Sequence, residues 1–250
     1  MSVGSNPTLS AQGRLPRKPP FVMYPQASAA TNPPMGLVVT VSGAVGGIGT
    51  STFAYALALQ QASSVLIDAQ PDGTPIDLLI GAERETGTRW RQVHVTTGID
   101  ATTVLTALPQ WQSVHLLSSD REATAHTGAL THIVAALREE HMVVIDVDAR
   151  NPIIETVQPD LRVLLVPTTI YGLGAALAST SLDCVVVVVE SLLADFTIAD
   201  LRSYLPQACV ADIRHERGVW QALRNATPPP VNTSVMTAAQ VVYAYATGSH

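Results

Sequence analysis

The sequence predicts an α/β fold: a mainly parallel, twisted sheet of about seven strands with helices on both faces. Three observations predict it. Short β-branched apolar runs alternate with helix-like stretches, the order that builds a parallel sheet through crossover helices. Most of the runs are continuously apolar, as strands buried on both faces are. The first run leads through a glycine-rich turn into a helix-like segment, GLVVTVSGAVGGIGTSTFAYALALQQA.

The elements follow in chain order. Residues 1–35, rich in proline and small polar residues, read as a disordered arm, and they contain no continuous apolar stretch of the kind a signal peptide needs. The strands are GLVVTV (36–41), SVLIDA (64–69), SVHLLS (113–118), MVVIDV (142–147), RVLLVP (162–167), CVVVVV (184–189) and ACVADI (208–213). Each is a short run rich in β-branched or other apolar residues, which is the signal for a strand. Helices are expected over Ser51–Gln61, Ala123–Glu140, Tyr171–Ser181, Ile198–Leu205 and Glu216–Asn225. Residues 36–228 thus form one domain, and 229–250 a C-terminal tail or short helix.

Composition narrows the function classes. With 250 residues, 47% of them hydrophobic, the chain can bury one substantial core. Charged residues make up 14% and the formal net charge is -6, which argues against a broad nucleic-acid surface and for protein partners. Cys184 and Cys209 are too few for a disulfide framework and are expected as buried thiols. No run of about 18 uncharged apolar residues occurs, so a soluble, cytoplasmic protein is expected. The seven histidines, among them His94, His115, His126, His132, His141 and His215, show no metal-ligand spacing. Trp90, Trp111 and Trp220 are expected as core or interface anchors.

Three motifs carry chemistry, and in a parallel sheet they belong at the carboxyl ends of the strands. The first is the turn Gly43, Ala44, Val45, Gly46, Gly47, Ile48, Gly49, Thr50, Ser51 and Thr52. Glycines let the backbone approach a phosphate closely, and the following helix adds its positive N-terminal dipole. Such a P-loop places a hydroxyl on magnesium at the position of Ser51, but the lysine that should follow Gly49 is replaced by Thr50. The second motif, VLIDAQPDGTPIDLLIG, puts Asp68 at the end of a buried strand and Asp77 beyond a turn. Asp68 is a candidate for orienting water or holding the magnesium shell. The third, VVIDVDAR, has the form of a Walker B strand ending in the candidate magnesium residue Asp146. Taken singly, the turn could be a ligand-free strand-to-helix connection, and each aspartate a strand-end residue capping a loop.

From about Gly36 to Arg224 the chain resembles the MinD/ParA class of deviant Walker ATPases, and within it the CpaE/TadZ group and the actinobacterial septum-site-determining proteins. GAVGGIGTST is similar to that group's loop, and DAQPDGTPIDLLIGAERETGTRW carries its later glycine, arginine and tryptophan at Gly87, Arg89 and Trp90. LPQWQSVHLLSSDRE, VVIDVDAR and IRHERGVWQALR fall in the same order. The resemblance implies a P-loop NTPase-like fold, ATP and magnesium as ligands, a homodimer, and partners in a pilus, secretion or cell-division apparatus, with recruitment to a pole or septum.

Departures from the family pattern bear on activity. The signature lysine before the double glycine is met by Val45, the phosphate lysine by Thr50, and a further aspartate of the second motif by Gln70. Charge stabilisation of a transferring phosphoryl group is worth about a thousandfold or more in rate. Hydrolysis is therefore expected to be weak or absent, while the amide cradle, Ser51 and Asp146 still suit binding. Arg121, Arg150 and Arg217 are candidates for a replacement charge. The expected function is a spatial regulator or assembly factor. The alternative is an active ATP-dependent, MinD-like switch of division-site placement. The C-terminal VNTSVMTAAQVVYAYATGSH lacks the basic face of a membrane-targeting helix, so no direct membrane insertion is expected, and the scarcity of basic residues speaks against nucleic-acid binding.

Overall fold

The computed structural model describes residues 36–70, 73–94, 98–119, 127–179, 183–205 and 207–249. The arm 1–35, Arg121, His126 and the start of the helix expected at 123 lie outside the described residues. Eight strands form one sheet: β1 (Leu37–Gly43), β2 (Ser64–Asp68), β3 (Gln110–Trp111), β4 (Val114–Leu117), β5 (Met142–Asp146), β6 (Leu161–Pro167), β7 (Val185–Val189) and β8 (Cys209–Ile213). Their order is β3-β4-β2-β5-β1-β6-β7-β8. Every neighbouring pair is parallel except β3 with β4.

All seven expected strands are present, each shifted by no more than a few residues at its ends. The eighth, β3, is two residues long, too short to show a periodic pattern.

The helices are α1 (Thr50–Ala58), α2 (Ile76–Ile80), α3 (Ala101–Ala107), α4 (Thr127–Leu137), α5 (Ile153–Val157), α6 (Ile170–Ala178), α7 (Ile198–Tyr204), α8 (Arg217–Arg224) and α9 (Ser234–Thr247). Five match expected helices. Periodicity does not mark α2, α3 and α5, which have five to seven residues and so less than two turns in which to repeat an apolar face. The segment 229–250, expected as a tail or short helix, contains the 14-residue α9. Val235, Met236, Ala238, Ala239 and Val242 of α9 are buried in the same core as α1 and β8. Alanines on that face leave room for close packing against α1, and Gly248 ends the helix in the left-handed conformation.

Alternation along each strand divides the core. Val39, Val41, Leu66, Val144 and Leu165 pack on one face with α1 and α9. Val38, Val65, Ile67, Val143 and Ile145 face the other way, against Trp90, α4 and α5. Leu164, Val166, Val186 and Val188 share that second side with α6 and α7. The layers hold β1 at the centre, and its carboxyl end opens into the glycine turn.

Candidate functional site

Register puts the three motifs side by side. Val41 of β1 pairs with Asp146 of β5, and Asp146 pairs with Asp68 of β2. The backbone continues the alignment past the strand ends: Ala69 N donates to Asp146 O at 2.8 Å and Val147 N to Val41 O at 3.0 Å. Parallel strands all point the same way, so residues separate in sequence reach one edge of the sheet.

The turn after β1 is shaped for close approach. Ala44 N donates to Leu165 O at 2.9 Å, anchoring its start to β6. Gly47 (φ 75°) and Gly49 (φ 91°) have left-handed backbones that favour glycine, and a Cβ on Gly46, Gly47 or Gly49 would meet open space. At Gly43, by contrast, a Cβ would come within 2.6 Å of the Thr50 hydroxyl and 2.9 Å of Val45 O. Thr50 therefore lies back against the start of the turn. Gly49 caps α1 without any side-chain bond, and the N–H groups of a helix's first turn have no partners inside the helix.

A cavity of about 820 Å³ lies over this turn, within the range of small-molecule sites. All ten residues from Gly43 to Thr52 line it, together with Asp68 and Gln70. Its apolar lining includes Leu79, Val189, Ile213, Val219, Trp220 and Leu223, interleaved with Glu190, Arg214, His215 and Glu216. Trp220, expected as an anchor, is 51% exposed there, its ring 5.9 Å from that of His215. Arg150 and Arg214 also face the cavity, whereas Arg217 does not.

Asp146 sits at the end of β5, 1% exposed and behind the cavity wall, with Ser51 and Gln70, which line the cavity, beside it. Gln70 Nε2 donates to its Oδ1 at 3.2 Å, while Oδ2 is buried without a hydrogen-bond partner. Burial pushes its pKa up to about 6; the Ser51 hydroxyl and the Gln70 amide pull it down, and the Asp68 charge raises it again. An orphaned carboxylate oxygen beside a hydroxyl and an amide cradle suits a magnesium-bound phosphate. These residues fit a magnesium nucleotide.

Asp68 has different surroundings. Its Oδ1 accepts from Gln70 N at 3.2 Å, and its Oδ2 from Ile76 N at 3.2 Å, Ser119 N at 3.3 Å and the Ser119 hydroxyl at 2.6 Å. Burial raises its pKa against the pull of those bonds. The carboxylate ties the ends of β2 and β4 to the start of α2. Asp77 lies away from the cavity: Arg89 Nε meets its Oδ2 at 2.8 Å, and Leu78 N donates to its Oδ1 at 2.9 Å. Arg89 also donates to the carbonyls of Ala82, Glu85 and Gly87, and buried Trp90 donates its indole N–H to Asp68 O at 2.6 Å.

Sequence reasoning missed Gln70 as the partner of Asp146 and Ser119 as the partner of Asp68. The only signal for Ser119 was its place in a polar pair ending a buried strand. Among the described residues no helix is long and apolar enough to cross a membrane.

Comparison with known proteins supports the fold. No family model matches the chain. An uncharacterized protein of Mycobacterium tuberculosis, found in strains CDC 1551 / Oshkosh and ATCC 25618 / H37Rv, is 32% identical over 148 residues. The match covers 56% of this chain and 42% of that protein, so the chain spans less than half the length of the curated relatives it matches. Among solved structures, a ParA family ATPase from Chlorobium tepidum superposes with a TM-score of 0.62 at 13% identity, covering 85% of this chain and 98% of that one. MinD in the MinC:MinD complex of Aquifex aeolicus gives 0.61 at 16%, covering 82% and 95%. The Pyrococcus horikoshii septum site-determining protein MinD with Mg-ADP gives 0.60 at 14%, covering 84% and 95%. The chain therefore has the fold of the MinD/ParA-type Walker ATPases.

Proposed function

We propose that the chain binds magnesium-ATP over the Gly43–Thr52 turn and acts as a MinD/CpaE-like spatial regulator or assembly factor, with weak or no hydrolysis. One observation carries this reading: the buried Oδ2 of Asp146, without a hydrogen-bond partner, next to Ser51 of a glycine turn that has no lysine. Turn amides and the start of α1 hold the phosphates, Ser51 and Asp146 hold the metal, and the apolar residues of the lining, Trp220 among them, receive the base. Bound magnesium supplies charge neutralisation on the phosphates. Asp68, saturated by protein donors, positions the strand ends in preference to orienting water.

A second copy of the chain and an apparatus of pilus, secretion or cell-division type are the proposed partners, with recruitment to a pole or septum through them. Ile170 and Tyr171 after β6, and Leu192 and Leu193 after β7, are 60%, 81%, 75% and 87% exposed; Leu192 lines the cavity, and these exposed apolar side chains suit such contacts. One solved neighbour is MinD in complex with MinC, and another MinD holds Mg-ADP.

Equilibrium binding of ATP and ADP, with and without magnesium, tests the reading on the intact chain, Ser51→Ala and Asp146→Ala. Magnesium-dependent binding lost in both variants supports it. Absence of binding at millimolar nucleotide rejects it in favour of a nucleotide-free scaffold. Sustained multiple-turnover hydrolysis would favour the active switch.

A further inference from the structure

The chain has one lysine, Lys18, so within residues 36–250 any cation facing the phosphates, other than histidine, must be an arginine. Most described arginines are already engaged. Arg89, Arg162 and Arg202 are held by carboxylates at 2.8, 3.0 and 3.0 Å, while Arg138, Arg84 and Arg214 reach one only at 3.7, 3.9 and 3.9 Å; Arg214, which also lines the cavity, shares Asp212 with Arg202. Arg217 and Arg224 stand on α8, and neither lines the cavity over the turn. Arg150 lines it, and among the described residues its guanidinium has no ion pair.

The backbone explains this position. Val147 N is bonded to Val41 O, so the residues after β5 run beside those after β1. Ala149 and Ala44 accordingly pack against the same apolar cluster. Asp148 Oδ1 accepts from Arg150 N at 2.8 Å, and Asn151 N donates to Asp148 O at 3.0 Å, a turn that fixes the backbone from which Arg150 projects. Arg150 also borders a smaller cavity of about 230 Å³ whose lining includes Thr40, Ser42, Cys184 and Arg162, the last held by Glu155 at 3.0 Å.

We propose that Arg150 supplies the phosphate-facing positive charge that Val45 and Thr50 do not, through its guanidinium donating to the terminal phosphates of a nucleotide seated on the glycine turn. This rests on the nucleotide-binding reading above. A planar guanidinium pairs with two phosphate oxygens at once, a geometry that a lysine in the turn would not reproduce. The site therefore discriminates by phosphate number: the pairing adds affinity for ATP over AMP and adenosine.

The test measures dissociation constants of the full chain for ATP, ADP, AMP and adenosine in magnesium, with Arg150→Ala, Arg150→Lys and Arg217→Ala. Arg150 is exposed, so the fold should tolerate its loss, which thermal unfolding verifies. Expected are a roughly tenfold to hundredfold weakening for ATP in Arg150→Ala, partial recovery in Arg150→Lys, and no change for AMP, adenosine or Arg217→Ala. Equal weakening for all four ligands, or unchanged ATP affinity, overturns the role of Arg150 while leaving the nucleotide site standing. No binding of any ligand by the unaltered chain overturns both.

Discussion

The glycine turn Gly43–Thr52 and the segment Asp68–Trp90 both start at the carboxyl ends of central strands, yet they are built in opposite ways. The turn is open: three of its glycines face empty space, and Asp146 beside it keeps a buried oxygen unpaired. The second segment is closed. Arg89 spans Asp77 and three carbonyls, Trp90 is fully buried and bonded to Asp68 O, and a Cβ on Gly87 would strike Pro109 N at 2.4 Å. A buried group left unsatisfied calls for an explanation, and a ligand that completes it is one; Trp111, Gln112, His115 and Gln207 keep unpaired buried atoms away from the cavity, so the open oxygen of Asp146 counts only together with the turn beside it. Gly87, Arg89 and Trp90 carried much of the sequence resemblance, and the structure shows them holding the fold, away from the cavity.

The largest effect should come from the closed segment. Trp90→Ala removes a fully buried indole and its bond to Asp68 O, and should cost about 3–5 kcal/mol in denaturant unfolding. A cost under about 1 kcal/mol, the size of an ordinary surface change, would mean that the segment is not closed in solution.

Arg89→Ala strips Asp77 of its partner and should cost about 3 kcal/mol. Simultaneous Asp77→Ala should recover part of that loss, because no unpaired carboxylate then remains. A double variant no more stable than the single one would remove the ion pair from the comparison.

Asp146→Asn should act in the opposite sense. The folded pKa of Asp146, about 6, is above the ordinary carboxylate value of 3.8, so the folded state holds the proton more tightly. Its contribution is fully present below about pH 4 and is lost as pH rises through 6, an effect of roughly 3 kcal/mol. The asparagine variant should be more stable than the parent at pH 7 without nucleotide, and flatter in stability between pH 4 and 6. Asp68, raised in the same direction, leaves some slope in both proteins. Urea unfolding across that range measures it, and an unstable Asp146→Asn would show that the ionised carboxylate serves the fold.

Gly46→Ala gives the smallest expected change in stability, within about 0.5 kcal/mol, since its Cβ meets nothing. Nucleotide binding should weaken all the same, because the methyl group enters the cradle. Unchanged binding together with unchanged stability would mean that this part of the turn does not approach the ligand.

The sheet is legible in the amino-acid order alone. Seven apolar runs, most of them continuous, specify strands buried on both faces, and the glycine turn and the aspartates at their ends mark the edge where the candidate site lies. How each polar residue is engaged was decided only by tertiary packing. Asp68, Asp77 and Asp146 look alike in sequence, but packing gave the first four protein donors, the second an arginine, and the third an unpaired oxygen. Packing also placed Arg150 and not Arg217 on the cavity, and brought α9 in to close the core. The physical reason is the range of each signal. Burial and period are local to a strand, whereas a partner 51 or 76 residues away, as Ser119 is to Asp68 and Asp146 to Gln70, exists only after the sheet has brought the strand ends together.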